Sequence, residues 1–403
     1  MRRLPRFLLP CLGILALVLS ACASAATPTA PPAATTAPKP PIKIGHLLAT
    51  TGPFSGVMEM INPGVDCAFQ EVGGQVAGRQ IKLIREDTEF KADVALSKAK
   101  KLVEVDKIDI GFGPQVTFEA QAAKDYLRQS GIPWITSDLA LPDWAQAGTN
   151  IFHVGPIPQQ VFTDEMLKYV YDELGVHKVI IYSMDHPGGR LWSQGFIDYF
   201  KKVGGQVVQE IYFPPDIVDH AVNFPKLKTS EADAIVSAQW GASAIRFIKQ
   251  ADEYGLTKKI RVLGEASIAE DDTTLPAVGK AALGIISWYA LPPPDYDNPS
   301  YKRLKDCVMA KSGLPPGNAI HGYLEARTAI EAIKAVNGNV EDRAALLAAM
   351  RKVSFDSPQG PFNFQECQIG NRTVFIKKVV EKDGKVQNAI MKQFPSAPFC
   401  PKP

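Results

Sequence analysis

The sequence lacks the patterns that identify most enzymes. Its six histidines are scattered, with no metal-ligand spacing. There is no Gly-x-Ser-x-Gly elbow and no phosphate-binding loop, and Gly111-Phe112-Gly113 alone is not a nucleotide fingerprint. Glu270-Asp271-Asp272 is predicted to be a solvated acidic turn rather than a calcium site. We therefore expect no enzymatic activity, no cofactor and no metal.

The sequence also lacks an excess of charge of one sign. It has 44 Lys and Arg against 42 Asp and Glu, a formal net charge of +2, and the charges are evenly mixed. Nucleic-acid-binding surfaces are strongly basic, so no nucleic-acid partner is expected. Beyond the N-terminus, no run reaches the roughly 18 to 20 apolar residues needed to cross a bilayer. The body from Ile42 onward is therefore predicted to stay outside the membrane.

The N-terminus instead carries the features of a targeting segment. Three arginines within the first six residues precede a short apolar run. Leu19-Ser20-Ala21-Cys22 then resembles the lipobox of bacterial lipoproteins, which implies cleavage before Cys22 and a lipid on its sulfur. Residues 1–21 are predicted to be a lipoprotein signal peptide. The alternative is a plain secretory signal with an incidental cysteine.

The next segment, residues 22–41, is rich in Ala, Thr and Pro and contains no large apolar side chain. Such a segment gains too little from burial to become ordered, so it is predicted to be a flexible linker. The mature protein is thus expected outside the cytoplasm, held to a bacterial membrane by the lipid on Cys22.

Four of the six cysteines remain for the folded body, because Cys11 lies in the signal peptide and Cys22 is assigned to the lipid. They are Cys67, Cys307, Cys367 and Cys400. An even number of cysteines in an oxidising compartment predicts disulfides. Three pairings are possible, and spacing alone does not choose among them.

Strand-like and helix-like runs alternate along most of the body. This order predicts an α/β fold in which parallel sheets are flanked by helices. Predicted strands are 42–49, 80–86, 108–112, 132–136, 179–182, 206–213, 234–237, 260–264 and 283–291. Predicted helices are 64–72, 92–105, 118–129, 162–174, 190–202, 242–254, 300–311, 319–336 and 341–352. A hairpin of strands 373–381 and 387–394 follows, turning at Asp383-Gly384.

Several short motifs occur along this body in the order and spacing of one known family. They are Ile42-Lys43-Ile44-Gly45, Thr51-Gly52-Pro53-Phe54-Ser55-Gly56, Gly74-Gln75-Val76-Ala77-Gly78-Arg79-Gln80-Ile81, Glu86-Asp87-Thr88, Gly131-Ile132-Pro133, Lys201-Lys202-Val203-Gly204-Gly205 and Tyr254-Gly255-Leu256. The chain resembles the leucine/isoleucine/valine-binding protein family, the branched-chain amino-acid type of solute receptor for ABC importers.

The resemblance implies the periplasmic binding protein type I fold, with two Rossmann-like lobes joined by a three-strand hinge. Lobe 1 would take residues 42–155 and 292–350. Lobe 2 would take residues 156–291 and 351–403. Pairing within lobes then gives the disulfides Cys67–Cys307 and Cys367–Cys400, which leave the hinge free to move.

The same resemblance assigns ligand contacts in lobe 1. The loop that contains Gln115 and Thr117 would grip a carboxylate through backbone N–H groups and the Thr117 hydroxyl at a helix N-terminus. A simple N-cap role for Thr117 is the alternative. Ser137 and Asp138 occupy the second contact loop, where a solvated turn is the alternative for Asp138. Phe54 matches an aromatic position that packs on the ligand, with loop packing as its alternative.

In lobe 2 the sequence departs from the family pattern. The tyrosine that usually meets the ligand is replaced by a loop in which Gly188 offers only its backbone. Trp192, one turn later, is predicted to be a core residue, and filling the space of the missing tyrosine is its alternative. Trp240 and Glu265 end later strands that face the cleft, and Glu265 lies near the position of the acid that holds the ammonium group in amino-acid receptors. Stacking between Trp240 and Phe54 would suit an apolar or aromatic acid better than a standard amino acid.

The predicted function is that of a receptor for an ABC importer. It would capture a small organic ligand (an amino acid, an amide, or an aromatic or aliphatic carboxylate) by hinged closure and deliver it to permease subunits. A monomer is expected. The alternative is a ligand sensor on the same fold that passes a signal to a membrane partner.

Overall fold

The computed structural model describes residues 39–137, 140–141 and 143–400. The predicted signal peptide 1–21, the lipidation residue Cys22, linker residues up to 38 and the predicted contact Asp138 lie outside the described residues. Within the described part of the chain, no helix is long and apolar enough to span a bilayer.

The first sheet has six strands in the order β2-β3-β1-β4-β5-β6. All its neighbours are parallel except β2 and β3. The central strand β1 is buried along nearly its whole length, as expected for a parallel strand covered on both faces. The strands are β1 Ile42–Leu48, β2 Gln75–Val76, β3 Arg79–Asp87, β4 Ile110–Phe112, β5 Trp134–Thr136 and β6 Ile151–His153.

The second sheet has seven strands in the order β15-β14-β11-β10-β9-β7-β8, and β12 and β13 form a separate hairpin. Strands β7 to β11 are parallel, whereas β14 and β15 add an antiparallel edge. The strands are β7 Lys178–Met184, β8 Gln206–Phe213, β9 Ala234–Ser237, β10 Arg261–Glu265, β11 Ile286–Tyr289, β12 Ser354–Ser357, β13 Gly360–Asn363, β14 Thr373–Lys382 and β15 Lys385–Pro395.

Helices flank both sheets, and the predicted α/β class is confirmed. The helices are α1 Ser55–Met58, α2 Ile61–Glu71, α3 Ala92–Lys100, α4 Thr117–Ser130, α5 Pro158–Val161, α6 Asp164–Lys168, α7 Pro187–Lys202, α8 Gly241–Glu253, α9 Leu275–Val278, α10 Pro299–Ser312, α11 Ala319–Ala335 and α12 Arg343–Met350. Local signals set several ends. For example, the Asn298 side chain accepts the Tyr301 N–H at 2.8 Å to cap α10.

Two sequence expectations about elements differ from the structure. The helix predicted over 162–174 begins later, at Asp164, because Phe162 and Thr163 are extended and Thr163 caps α6 by accepting the Met166 N–H at 3.0 Å. The short strands β6, β12 and β13 were not predicted. A strand of three or four residues carries too little alternation to be recognised without its neighbours.

The chain passes between the sheets more than once. It reaches the second sheet after β6, returns after β11 to α10 and α11, which pack on α2, and passes again before β14. Ile369 forms a bridge to His153 of β6, so this part of the tail runs beside the first sheet. The proposed lobe boundaries stay a prediction.

Two disulfides join the described cysteines. Cys67 of α2 is bonded to Cys307 of α10, and Cys367 is bonded to Cys400. These are the pairs that the family resemblance implies. The first bridge fastens α10 to α2, on which it packs, and the second closes a loop within the tail.

The prediction of a solvated turn at Glu270-Asp271-Asp272 is wrong. All three side chains are buried. Lys377 of β14 pairs with Glu270 at 3.0 Å, and the Asn388 side chain of β15 donates to Asp271 at 2.8 Å. The Asn318 N–H donates to Asp272 at 2.6 Å. These partners come from distant parts of the sequence, so the local pattern of three acids gave no sign of them.

Candidate functional site

A cavity lies where the carboxyl ends of strands from both sheets meet, the expected ligand position in α/β folds. The space inside it that the centre of a water-sized sphere can occupy is about 40 Å³, so the cavity is narrow. Residues after β1, β4 and β5 form one wall, and residues after β7 and β9 form the other. The lining residues are Phe54, Val57, Met58, Gln115, Val116, Thr117, Ala140, His186, Gly188, Trp192 and Trp240.

Two helix N-termini meet at this cavity. The 14-residue helix α4 begins at Thr117, and the 16-residue helix α7 begins at Pro187. A Cβ atom on Gly188 would lie 3.3 Å from the Thr117 hydroxyl, so the two ends are in close approach. Helix N-termini carry partial positive charge and unpaired N–H groups. The cavity is therefore suited to an anionic group held from both sides.

Aromatic rings surround the rest of the cavity. Phe54 lies 6.4 Å from Trp240 and 6.0 Å from His186, and His186 lies 5.1 Å from Trp240, measured between ring centroids. Phe54 is also held by an edge contact with Phe90 at 4.7 Å. These rings come from both halves of the chain, and their faces suit an apolar or aromatic group.

Gln115 and Ser137 belong to a buried polar network. Ser137 donates its backbone N–H and its hydroxyl to Gln115 Oε1 at 3.0 and 3.2 Å. The Gln115 amide donates to Glu325 of α11, which also accepts the Ser137 hydroxyl at 3.0 Å. Gln115 lines the cavity, whereas Ser137 is outside the set of described lining residues and holds the Gln115 side chain in place.

Glu265 lines a second, smaller cavity of about 10 Å³ on the same measure. Its Oε2 accepts the Ser267 N–H at 3.2 Å. Trp192 lines both cavities, so its indole stands between Glu265 and the larger one. Trp192 is 5% exposed and packs on Phe162, consistent with the predicted core role, and it contributes to the cavity wall as well.

Of the eight predicted ligand contacts, the structure brings five to the cavity wall. These are Phe54, Gln115, Thr117, Gly188 and Trp240. The Thr117 hydroxyl also accepts the Ala140 N–H at 3.5 Å, and the backbone of Gly188 is engaged at the start of α7. Whether each of them touches a ligand stays a prediction.

Sequence reasoning missed His186 as a lining residue. His186 is the N-cap of α7, and its Nδ1 accepts the Gly188 N–H at 3.0 Å. Burial lowers the pKa of His186 to about 4, so the ring is neutral at pH 7. The signal that could have found it is the following proline, because proline is frequent at the first position of a helix.

The family follows from a comparison with known proteins. A family model described as periplasmic binding protein matches residues 41–385. The chain belongs to this family. It is a family of binding proteins rather than enzymes, in agreement with the sequence expectation. Among the described residues, no three His, Cys, Asp or Glu side chains are grouped to hold a metal ion.

Several members of the periplasmic binding protein family are similar over most of the chain. An ABC transporter substrate-binding protein from Sphaerobacter thermophilus is 28% identical, with a TM-score of 0.82 over 90% of this chain and 99% of that one. A solute binding protein from R. palustris, solved with benzoate, is 25% identical, with a TM-score of 0.79 over 89% and 97%. A Leu/Ile/Val-binding protein homolog of Brucella suis is 22% identical over 78% of this chain and 82% of its own.

Proposed function

We propose that this periplasmic binding protein is the solute receptor of an ABC importer for a small aromatic carboxylate. The observation that carries the proposal is the meeting of the N-termini of α4 and α7 in one cavity walled by aromatic rings. The helix ends would hold the carboxylate, and the rings of Phe54 and Trp240 would enclose the aromatic group.

An α-amino acid fits this cavity less well. Among the described residues, the cavity wall contains no carboxylate to pair with an ammonium group. Glu265 lies in the neighbouring cavity on the other side of Trp192. Burying an ammonium group without an anionic partner is costly, so a ligand with a carboxylate and no ammonium is favoured.

Two relatives support the same ligand class. The R. palustris protein named above was solved with benzoate, and a solute binding protein from Rhodopseudomonas palustris BisB5 was solved with 3,4-dihydroxybenzoic acid. The latter is also 25% identical, with a TM-score of 0.80. Both are similar to this chain over nearly its whole described length.

Ligand capture would be coupled to closure of the two halves. The N-terminus of α4 lies in the half built on the first sheet, and that of α7 lies in the half built on the second. One carboxylate can therefore contact both N-termini only when the two halves are closed together. Such a ligand binds the closed form more tightly than the open form and shifts the population towards it. The closed receptor would then present its ligand to the permease.

The proposal includes anchoring through Cys22. A lipid on this residue would keep the receptor, as a monomer, close to the permease on the outer face of a membrane. Expression of Cys22→Ala in a bacterial host should release the protein from the membrane fraction, whereas the unchanged chain should stay there until detergent is added. Equal membrane partitioning of the two would refute lipidation. Signalling to another membrane partner stays the alternative to transport.

Calorimetric titration of the mature protein tests the ligand class. We expect benzoate and hydroxybenzoates to bind, and benzamide, which has the ring without the charge, to bind far more weakly. Isoleucine serves as the amino-acid comparison. Binding of isoleucine together with no response to any aromatic acid would overturn the proposal.

A further inference from the structure

His186 lines the cavity and carries a hydrogen-bond donor on its ring. In a neutral imidazole one nitrogen carries the proton and the other accepts, and the partner of one nitrogen decides the role of the other. His186 Nδ1 accepts the Gly188 N–H at 3.0 Å, so this nitrogen cannot carry the ring proton. The proton therefore resides on Nε2.

This Nε2–H is buried and has no hydrogen-bond partner among the described residues. Leaving a buried donor unpaired costs about 1 to 3 kcal/mol. The His186 ring lines the cavity beside Phe54 and Trp240, and it caps the helix whose N-terminus faces the same space. A group that enters the cavity is in position to satisfy this donor.

We propose that His186 is a ligand-binding residue that donates its Nε2–H to a carboxylate oxygen of the bound ligand. This inference rests on the proposed function and deepens it, because it names the side chain in the second half of the molecule that selects for the acid. The two ring nitrogens have separate roles. Nδ1 organises the start of α7, and Nε2 contacts the ligand.

Two substitutions separate the capping role of Nδ1 from the ligand contact of Nε2. Asparagine at this position keeps an acceptor for the Gly188 N–H, since Asn is a favoured N-cap, but it is too short to place a donor where Nε2 lies. Glutamine reaches the position of Nε2 with an amide donor but does not keep the cap. His186→Asn should therefore retain the melting temperature of the wild type, and His186→Gln should lower it.

Titration with benzoate then measures the ligand contact. His186→Asn should raise the dissociation constant about 10- to 100-fold, as expected for a lost hydrogen bond to a charged group. His186→Gln should recover part of that loss despite its lower melting temperature. Wild-type affinity in His186→Asn would overturn the proposal. So would equal weakening in both variants in proportion to their loss of stability, because that result would mean a capping role alone.

The tautomer is tested without any ligand. Proton–nitrogen correlation spectra of ¹⁵N-histidine-labelled protein, with His186 assigned by its loss in His186→Asn, should show a protonated Nε2 and an acceptor-type Nδ1. A protonated Nδ1 would overturn the proposal even if benzoate binds. If the wild type binds no aromatic acid, the proposed function fails, and the spectrum still decides whether His186 offers the donor.

Discussion

At the residue scale, the cavity wall is made of side chains whose roles depend on their partners. Trp240 and Phe54 face each other from opposite halves of the molecule. The ring of His186, at the start of α7 in the second half, lies near both of them. Gln115 is on the wall, but its amide is engaged by Ser137 and Glu325 beneath it. The wall is thus apolar in its rings and polar at its helix ends.

Trp240→Ala should weaken benzoate binding about tenfold or more without unfolding the protein. Its indole lies against His186 and the cavity, so truncation removes ring contacts and leaves a void. Fluorescence or calorimetric titration measures the affinity, and circular dichroism verifies the fold. Tyr254→Ala, at an exposed residue remote from the cavity wall, is the matched control. Unchanged affinity in Trp240→Ala would remove this residue from the ligand site.

Glu119 gives a residue-scale prediction about pH. It is fully buried and accepts the Thr88 hydroxyl at 2.8 Å, and burial, helped by nearby Asp87, raises its pKa from 4.5 to about 8. The folded state holds this proton more tightly than the unfolded state. Its contribution to stability is therefore complete below about pH 4.5 and is lost as pH rises towards 8.

Glu119→Gln should remove this loss of stability at rising pH, because the amide has no proton to lose. Relative to the wild type, the variant should gain stability between pH 5 and pH 9, on the order of a few kcal/mol. Urea denaturation of both proteins at several pH values measures the difference. A difference in stability that does not change with pH would contradict the assigned proton.

At the element scale, the crossing of α2 and α11 depends on glycine. A Cβ atom on Gly64 of α2 would lie 1.7 Å from the Ala319 carbonyl oxygen, and one on Gly322 of α11 would lie 2.2 Å from the Ile61 carbonyl oxygen. The two helices therefore pack with their backbones nearly in contact. The disulfide between α2 and α10 fastens a third helix to the same pair.

Gly64→Ala should lower the free energy of unfolding by about 1 to 3 kcal/mol, because the added methyl group forces α11 away from α2. Thermal and urea unfolding measure the effect. Gly56→Ala in α1 is the control, since nothing lies within 4 Å of a Cβ at that position. Equal stability of the two variants would show that the helices can separate without cost.

At the scale of the whole molecule, the proposed function would depend on contacts that form between the two halves. Asp272 follows β10 of the second sheet, and its carboxylate accepts the N–H of Asn318 at the start of α11, which packs on α2. Gly317 fits against this carboxylate with no room for a side chain, because a Cβ there would lie 2.2 Å from Asp272 Cγ. This contact joins a segment that follows the second sheet to a helix that packs beside the first.

Gly317→Ala should hinder closure. With benzoate in excess, X-ray scattering should give a larger radius of gyration for the variant than for the wild type, and benzoate affinity should fall by severalfold. Lys311→Ala, an exposed change in α10, is the control. Identical scattering curves for the two ligand-saturated proteins would contradict a closing role for this contact.

The sequence by itself determined the α/β class and the order of the longer strands and helices. Hydrophobic periodicity, glycine stops and the hairpin turn are local properties, so they remain readable in a single chain. The short motifs were specific enough to identify the family, and they placed Phe54, Gln115, Thr117, Gly188 and Trp240 near one cleft.

Only the tertiary structure decided which polar groups line the cavity and which are buried beneath it. Glu325 meets Gln115 across 210 positions of sequence, and Lys377 meets Glu270 across 107. The position of Trp192 between two cavities and the capping bond that fixes His186 likewise depend on neighbouring elements. Burial and hydrogen-bond partners are properties of the packed chain, so a side chain's chemistry is set by segments that its own local sequence does not contain.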